Sequence, residues 1–587
     1  MIINISIKKI VLKRAYIIKY ITMCGIWAYI KLLKEKKLDV TKLFQDFWNI
    51  KPRGPDNSYL ENYGDVWIGF HRLAIMDTSF KSNQPFVFQE RERTIVFICN
   101  GEIYNFRELI ETYELPIKTD SDCMTIPELY LKYTKHGYNI QSFLNLFNHK
   151  IKGEYAFIMF EFDRFKNLKT VFVGRDQIGI RPLYHNIIKD NMEELIFSSE
   201  IKGTNSYDGD IVEFPPGTIM VYDIDDFNKV KVKTQFIFKD VYNTKVFKGT
   251  PLYNEKYYLE NVKNAVINSV KRRLESDRPL AFLLSGGVDS SLVAAISAKL
   301  LNIPIQTFCC GMNEGTDLFY ARKVAKHIGS NHTEVFFTPE EGLEVIRDVI
   351  WKTETWDTTT IRASVGQYIV SKHIGTKTDA KVVLVGEGPD EVCSSYLFNW
   401  YAPSGKALHE TALTYVDNIH YFDSRRGDRC LSGWGLEGRV PLLDPEFIYA
   451  YWQIPENMRH PKYKGIEKWW LREAFNDTNI LPHDVLFRKK EAFSDGISSK
   501  EKSWFQIIQE YVDTQISNGE FSKASELYPH CTPQTKEAFY YRKVFCEFFG
   551  EKRQTVLPYY WQPKWSSDGT EVSGYVDPSA RTLNVYN

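Results

Sequence analysis

Two short stretches carry the residue types that chemistry needs, and they lie far apart in the chain. The first is Ser285-Gly286-Gly287-Val288-Asp289-Ser290-Ser291, entered from an apolar run at Leu280 to Leu284 and left by a helical pattern at Leu292 to Leu300. A strand, a turn of small residues and a helix start thus follow without a break. Small residues let the backbone approach a ligand, and the first N–H groups of a helix have no partner inside it. Such a corner suits a phosphate. It is not the G-x-x-x-x-G-K-S/T loop, because no lysine follows the glycines. A plain glycine turn capped by Ser290 or Ser291 would not need the aspartate and three serines. Gly386-Glu387-Gly388-Pro389-Asp390-Glu391 follows a second apolar run, Lys381 to Val385. Asp289 and Asp390 therefore fall at two strand ends, within reach of a hard cation such as Mg²⁺, which takes a few carboxylates plus substrate phosphates. Glu387 and Lys490 are ionisable groups beside Gly-rich or loop sequence, although either alone could be a solvated surface charge.

The second stretch begins at Cys24, directly after Met23. A lone cysteine is most often a small buried hydrophobe. With Met23 removed, however, Cys24 carries both a thiol and an α-amine of pKa roughly 7.7–8.0, and the amine can act as general base for its own side chain. Arg72, Asn100-Gly101-Glu102 and Asp122 follow at turn or strand-end positions. Asn100 and Gly101 can offer a side-chain amide and a backbone N–H to an oxyanion. Arg72 can hold a carboxylate bidentately, and Asp122 an ammonium. The set describes a pocket for an amino acid whose side-chain amide meets the thiol.

The elements that position these groups differ between the two halves. From Cys24 on, short strands dominate: Cys24–Ile30, Val66–Ile75, Ile95–Cys99, Tyr155–Glu161 and Val171–Gly174, with a helix at Leu38–Ile50 and turn chemistry at Arg53-Gly54-Pro55-Asp56. This predicts a layered α+β domain over 23–235. Residues 236–255 are polar and turn-rich, a linker. Beyond it, apolar strands at 280–284, 305–310, 333–337 and 381–385 alternate with helices, one of them at Leu318–Ile328 stopped by Gly329. That alternation predicts an α/β domain over 256–551 with a parallel sheet, whose ligands bind at the carboxyl ends of the strands. Residues 408–550 read as mainly helical, and the tail 552–587 as an aperiodic surface wrap. Residues 1–22 are rich in Ile and Lys with no acidic residue. The expectation is a start assigned too far upstream, with a propeptide or an organelle address as the alternatives.

The chain of 587 residues exceeds one ordinary core. Its 74 basic and 74 acidic residues balance, which favours neither nucleic acid nor an anionic membrane as partner. No apolar stretch reaches transmembrane length. Nine scattered cysteines without a C-x-x-C fit neither a disulfide framework nor a zinc site. A reducing compartment, the cytoplasm, follows.

With these residues in view, the chain resembles the glutamine-hydrolysing asparagine synthetases over essentially all of 23–587. The resemblance rests on MCGI at 23–26, RGPD at 53–56, NGEIYNF at 100–106, SDC at 121–123, GRDQIGIRPLY at 174–184, SGGVDSS, ETWDTTTIRAS at 354–364, GEGPDE, WGLEGRVPLLD at 434–444, RKKEAFSDG at 488–496 and the PYYWQPKW…DPSARTL ending. It implies an N-terminal-nucleophile glutaminase, layered αββα, followed by an ATP-pyrophosphatase domain with helical additions. Cys24 would attack glutamine, with Asn100 and Gly101 at the oxyanion. Arg72, Leu73, Ala74, Ile75, Met76, Glu102 and Asp122 would bind glutamine. Leu284, Ser285, Gly286, Gly287, Asp289, Ser290, Cys310, Val385 and Gly386 would bind ATP, and Thr359 and Arg362 aspartate. Mg²⁺ would sit on Asp289 and Asp390. Glu387 would assist attack by ammonia, and Lys490 would stabilise phosphate charge. The substrates implied are glutamine, aspartate and ATP, with a homodimer as an assembly the family allows.

This chain departs from the family's Ser-Gly-Glu-Gly-Ser-Asp-Glu at Val385 and Pro389, and carries Ser394-Ser395 where glycine is common. The two lost hydroxyls remove up to two hydrogen bonds, each of roughly 0.5–1.5 kcal/mol, and Pro389 removes a backbone N–H. Two alternatives remain at this stage: a synthetase running on free ammonia because Cys24 stays blocked, and a non-catalytic relative that kept the fold.

Overall fold

The computed structural model describes residues 24–33, 37–135, 139–187, 192–225, 229–239, 254–313, 315–491, 493–498 and 502–579. The expectations for segment 1–22, for Met23 and for most of the linker lie outside them. Side-chain alternation along the strands sets the layers of the first half. In strand Gly25–Lys31, Ile26, Ala28 and Ile30 face inward, while Trp27 and Tyr29 pack on Leu43 and Phe47 of helix Val40–Asn49. In the facing sheet, Val96, Ile98, Ala156, Ile158, Val171 and Val173 meet that inner face. Their neighbours Phe97, Cys99, Phe157, Met159 and Phe172 turn the other way and pack with Ile126, Leu129 and Tyr130 of helix Thr125–Lys135. Two six-stranded sheets thus stack between helices, the αββα layering expected.

In the first sheet Gly25–Lys31 lies between Glu194–Ser198 and Val66–Arg72, antiparallel to both. In the second, Arg93–Ile103 pairs along its whole length with Gly153–Asp163. Both strands are longer than periodicity suggested. The extra residues of the first include Asn100, Gly101 and Glu102, which sit on strand rather than in a turn.

The second half holds a five-stranded parallel sheet in the order Asn331–Phe336, Gln306–Gly311, Leu280–Leu283, Val382–Leu384, Glu437–Arg439. Leu280–Leu283 is first in sequence and central in space. The chain builds outward from it on one side, then returns to lay Val382–Leu384 on the other. That is a topological switch point, where connections leave in opposite directions and open a crevice. The two chemistry-bearing loops, SGGVDSS and GEGPDE, follow the two strands that flank it. The fifth strand, Glu437–Arg439, is only three residues long around Gly438 and leaves no periodic signal. Helices fill most of 405–549, as expected. Among the described residues no helix is long and apolar enough to cross a membrane.

The two halves meet through buried charge. Arg53 is fully buried and bidentate to Asp428 of helix Asp423–Ser432 at 2.8 and 3.0 Å, with Glu200 at 2.9 Å. Glu154 joins Arg181 at 3.2 Å to Arg273 at 2.8 Å, and Arg273 reaches Asp444 at 2.7 Å. Glu213 pairs with Arg175 and Arg425 at 2.8 and 2.6 Å. Removing one partner of such a pair strands the other without water. Arg53→Met leaves Asp428 and Glu200 short of a cation and is expected to cost about 3–5 kcal/mol, read as a lowered thermal midpoint of the full chain.

Candidate active sites

The first site is built where strand Gly25–Lys31 begins. Cys24 precedes it, half-buried, and its Sγ accepts from Leu73 N–H at 3.3 Å and lies 3.4 Å from the Leu73 carbonyl. Arg53 Nε donates to the Cys24 carbonyl at 3.0 Å, so the RGPD segment, read as a turn, fixes the backbone of Cys24. Asp56 of the same segment accepts from Ala74 N–H at 2.9 Å and orders the 73–76 run. Leu73, Ala74, Ile75 and Met76 are all buried. Burial pushes the Cys24 thiol up to about 12; the Leu73 hydrogen bond and the Arg72 charge pull it down only in part. At neutral pH it is a thiol and needs a base.

Asn100 is buried, and its Nδ2 has no hydrogen-bond partner among the described residues. An amide left so is costly unless a ligand accepts from it. Gly101 has φ +149°, and a Cβ there would lie 2.1 Å from the Glu154 carbonyl, so only glycine fits. Glu102 and Asp122 are both buried. Burial first, then Asp122 and Glu437, drive the Glu102 carboxyl far up, and burial lifts Asp122 to about 6 against a hydrogen bond from Ile103 N–H at 2.6 Å. Arg439 stands 3.5 Å from Glu102 and offsets part of that rise, and an ammonium beside the two carboxyls would offset more. Arg72 is placed differently from expectation: its Nη1 donates to Ser79 O and Asn83 Oδ1, each at 2.6 Å, and its Nη2 to Asp77 O and Met76 O. It holds the 76–83 loop through these four acceptors.

The second site lies at the switch point. One cavity is lined by Leu284, Ser285, Gly287, Asp289, Ser290, Cys310, Val385, Gly386, Glu387, Asp390, Thr359 and Lys490. Of the nucleotide residues expected, Gly286 alone is off the wall; at φ +75° it turns the loop instead. A Cβ on Gly386 would sit 2.6 Å from Ser290 N, so the two loops press together there. Ser290 Oγ accepts from Ser285 N–H at 3.2 Å, which shapes the phosphate corner. Lys468, which sequence reasoning missed, lies between Asp289 Oδ2 at 2.5 Å and Asp390 Oδ1 at 2.7 Å. Lys490 Nζ takes Asp390 Oδ2. Burial works against an ionised Asp390, but Lys468 and Lys490 outweigh it and hold the carboxyl far below its usual range. The only trace of Lys468 in sequence is a basic residue directly before the apolar Trp469-Trp470-Leu471.

Glu387 accepts from Gln367 Nε2 at 3.0 Å, with Arg426 at 3.6 Å, while its buried Oε2 has no partner among the described residues. Burial raises its pKa, and Arg426 offsets part of the rise. Pro389 is the first residue of the short helix Pro389–Val392, a position whose N–H makes no intrahelical bond. The expected loss of a donor there therefore carries no helical penalty. Ser395, in a glycine's place, donates to Asp390 Oδ1 at 2.5 Å and braces it. Arg362 is not brought to the cavity. It is 2% exposed, with Nε and Nη2 on Glu537 at 2.8 and 2.7 Å and Asp577 at 2.9 and 3.0 Å.

A thiol site for an amide on one sheet pair, joined to a phosphate corner on a parallel sheet, defines an amidotransferase fused to an ATP-using synthetase. Family comparison agrees. Residues 23–245 match the glutamine amidotransferase domain family, and 261–408 with 401–574 the asparagine synthase family. The asparagine synthetase [glutamine-hydrolyzing] of Gallus gallus is 39% identical over 592 residues, covering 96% of this chain and 99% of that one. The Homo sapiens and Rattus norvegicus enzymes are 39% and 40% identical with the same coverage. Among solved structures, glutamine phosphoribosylpyrophosphate amidotransferase from B. subtilis aligns at TM-score 0.29 and 14% identity, over 53% of this chain and 81% of that one. NMN synthetase from Francisella tularensis aligns at 0.23 and 13%, over 51% and 96%. Likenesses of that size carry no argument. The chain belongs to the glutamine-hydrolysing asparagine synthetase family: it is a ligase that makes asparagine from aspartate and ATP with nitrogen from glutamine.

With Asp122 read as a partner of the glutamine ammonium, the lift of its carboxyl to about 6 predicts a pH limb. Below about 6 it is protonated and no longer attracts an ammonium, so KM for glutamine is expected to rise as pH falls through that value. Asp122→Asn should raise KM at every pH and flatten the limb, measured as glutamine hydrolysis from pH 5 to 8.

Proposed function

We propose the following division of labour. The Cys24 α-amine, once freed, takes the thiol proton, and sulfur attacks the glutamine side-chain carbon. Asn100 Nδ2 and Gly101 N–H receive the oxyanion, the proton passes to the leaving nitrogen, and ammonia departs from a thioester that water hydrolyses to glutamate. Glu102 and Asp122 hold the ammonium of glutamine, and Arg72 shapes the wall of the pocket.

In the second site the aspartate side-chain carboxylate attacks the α-phosphorus of ATP, giving β-aspartyl-AMP and pyrophosphate. Ser285 to Ser290 cradle the departing phosphates, Lys468 and Lys490 meet their charge, and Leu284, Cys310, Val385 and Gly386 flank the nucleotide. Thr359 contacts aspartate. Ammonia then attacks the activated carbonyl carbon, loses a proton to Glu387 and expels AMP. The unpartnered Glu387 Oε2 in the wall of the phosphate cavity is the observation that carries this reading. Asp289 and Asp390 already share the Lys468 ammonium, and the opening for a hard cation is on the other oxygen of Asp289, Oδ1, which is buried without a hydrogen-bond partner among the described residues. They would hold Mg²⁺, which when bound offsets phosphate charge. All nine cysteines are free thiols, which supports reading the compartment as the reducing cytoplasm.

Two substitutions separate the sites. Cys24→Ala should abolish asparagine formation from glutamine while ammonia-driven synthesis stays within about twofold. Lys468→Met should lower ammonia-driven pyrophosphate release by about 10²-fold or more and leave glutamine hydrolysis intact. Equal loss of both activities in either variant would sink the two-site account.

A further inference from the structure

The C-terminal tail was expected to be a surface wrap, yet three of its residues, Trp561, Pro563 and Pro578, line the synthetase cavity. It is tied down at both ends of that wall. At the near end, Trp561 N–H donates at 2.8 Å to Asp357, the residue that caps helix Thr358–Lys377, two residues before Thr359. The Trp561 ring packs on Tyr396 at 5.0 Å between centroids, and the Tyr396 hydroxyl donates to Glu391 at 2.5 Å. Tyr415 holds the Gln562 carbonyl at 2.7 Å. At the far end, Asp577 receives both Nη groups of Arg362, and Ser579 Oγ donates at 3.0 Å to Asp495, on the segment that follows Lys490. The tail therefore joins the segment bearing Thr359 to the segment bearing Lys490, along the wall of the cavity.

We propose that residues 559–579 are a strap that completes the aspartate end of the synthetase cavity, with Trp561 as its inner wall and the Arg362–Asp577 pair as its clasp. Arg362 is then a positioning residue: it acts on aspartate by fixing the tail. This rests on the assignment of Thr359 to aspartate. The strap lies far from Cys24 in function, so glutamine hydrolysis is an internal control for folding.

The test uses the full chain with Asp577→Asn, which opens the clasp at constant volume, and Trp561→Ala, which removes the wall and leaves the clasp. Ammonia-driven synthesis is titrated with aspartate, and glutamine hydrolysis is measured without ATP. Each variant is expected to raise KM for aspartate by about fivefold or more, with glutamine hydrolysis unchanged within about twofold, and Asp577→Glu should recover part of the loss. Unaltered KM for aspartate in both variants overturns the strap, as does a parallel fall of both activities, which would mark general destabilisation. Turnover of aspartate by the unsubstituted chain, run alongside, distinguishes failure of the cavity assignment from failure of the strap.

Discussion

The pairing of Arg53 with Asp428 is the contact on which the rest turns. It is a buried ion pair between the halves, and the same guanidinium holds the carbonyl of Cys24. The position of the nucleophile is therefore set partly by a helix of the synthetase half. That helix also carries Arg426, which reaches Glu387. A line of charged contacts thus runs from Cys24 to Glu387. Burying so much charge is expensive unless geometry is good and every group is partnered. Here Arg53, Arg181 and Arg273 each meet more than one carboxylate. The return on that cost is register: a docking face of like-sized apolar groups could slide, whereas the bidentate Arg53–Asp428 pair and the directional contacts of Arg181 and Arg273 hold one alignment.

Each half also makes its site by a different rule. The glutaminase site depends on antiparallel pairing, because Asn100, Gly101 and Glu102 occupy the end of a strand whose partner leaves no room for a Cβ at Gly101. The synthetase site depends on parallel order, because only adjacency of the first and fourth strands of the sheet brings Asp289 and Asp390 onto the same lysine.

Much of this was legible in sequence because it is local. SGGVDSS announces a strand, a turn and a helix start in consecutive residues, and the layered and parallel halves differ in period. Apolar alternation located the main strands but ended them short, since Asn100 to Glu102 read equally as a turn or a strand end when burial by another strand is invisible. What was not legible is long-range. Lys468 has no motif of its own, and its role exists only because two carboxylates nearly 180 and 80 residues away close on it. Arg362 sits in a recognisable segment, but its partners Glu537 and Asp577 lie far downstream and decide where it points. Pro389 looked like a loss until its place at the head of a short helix showed that the missing N–H had no helical partner to lose.

The closeness of Gly386 to Ser290 has a further consequence. A backbone nitrogen already stands 2.6 Å from where any side chain would begin, so the two phosphate-facing loops form one seam without slack. The seam is backbone against backbone, so its spacing leaves no place for a side chain at residue 386.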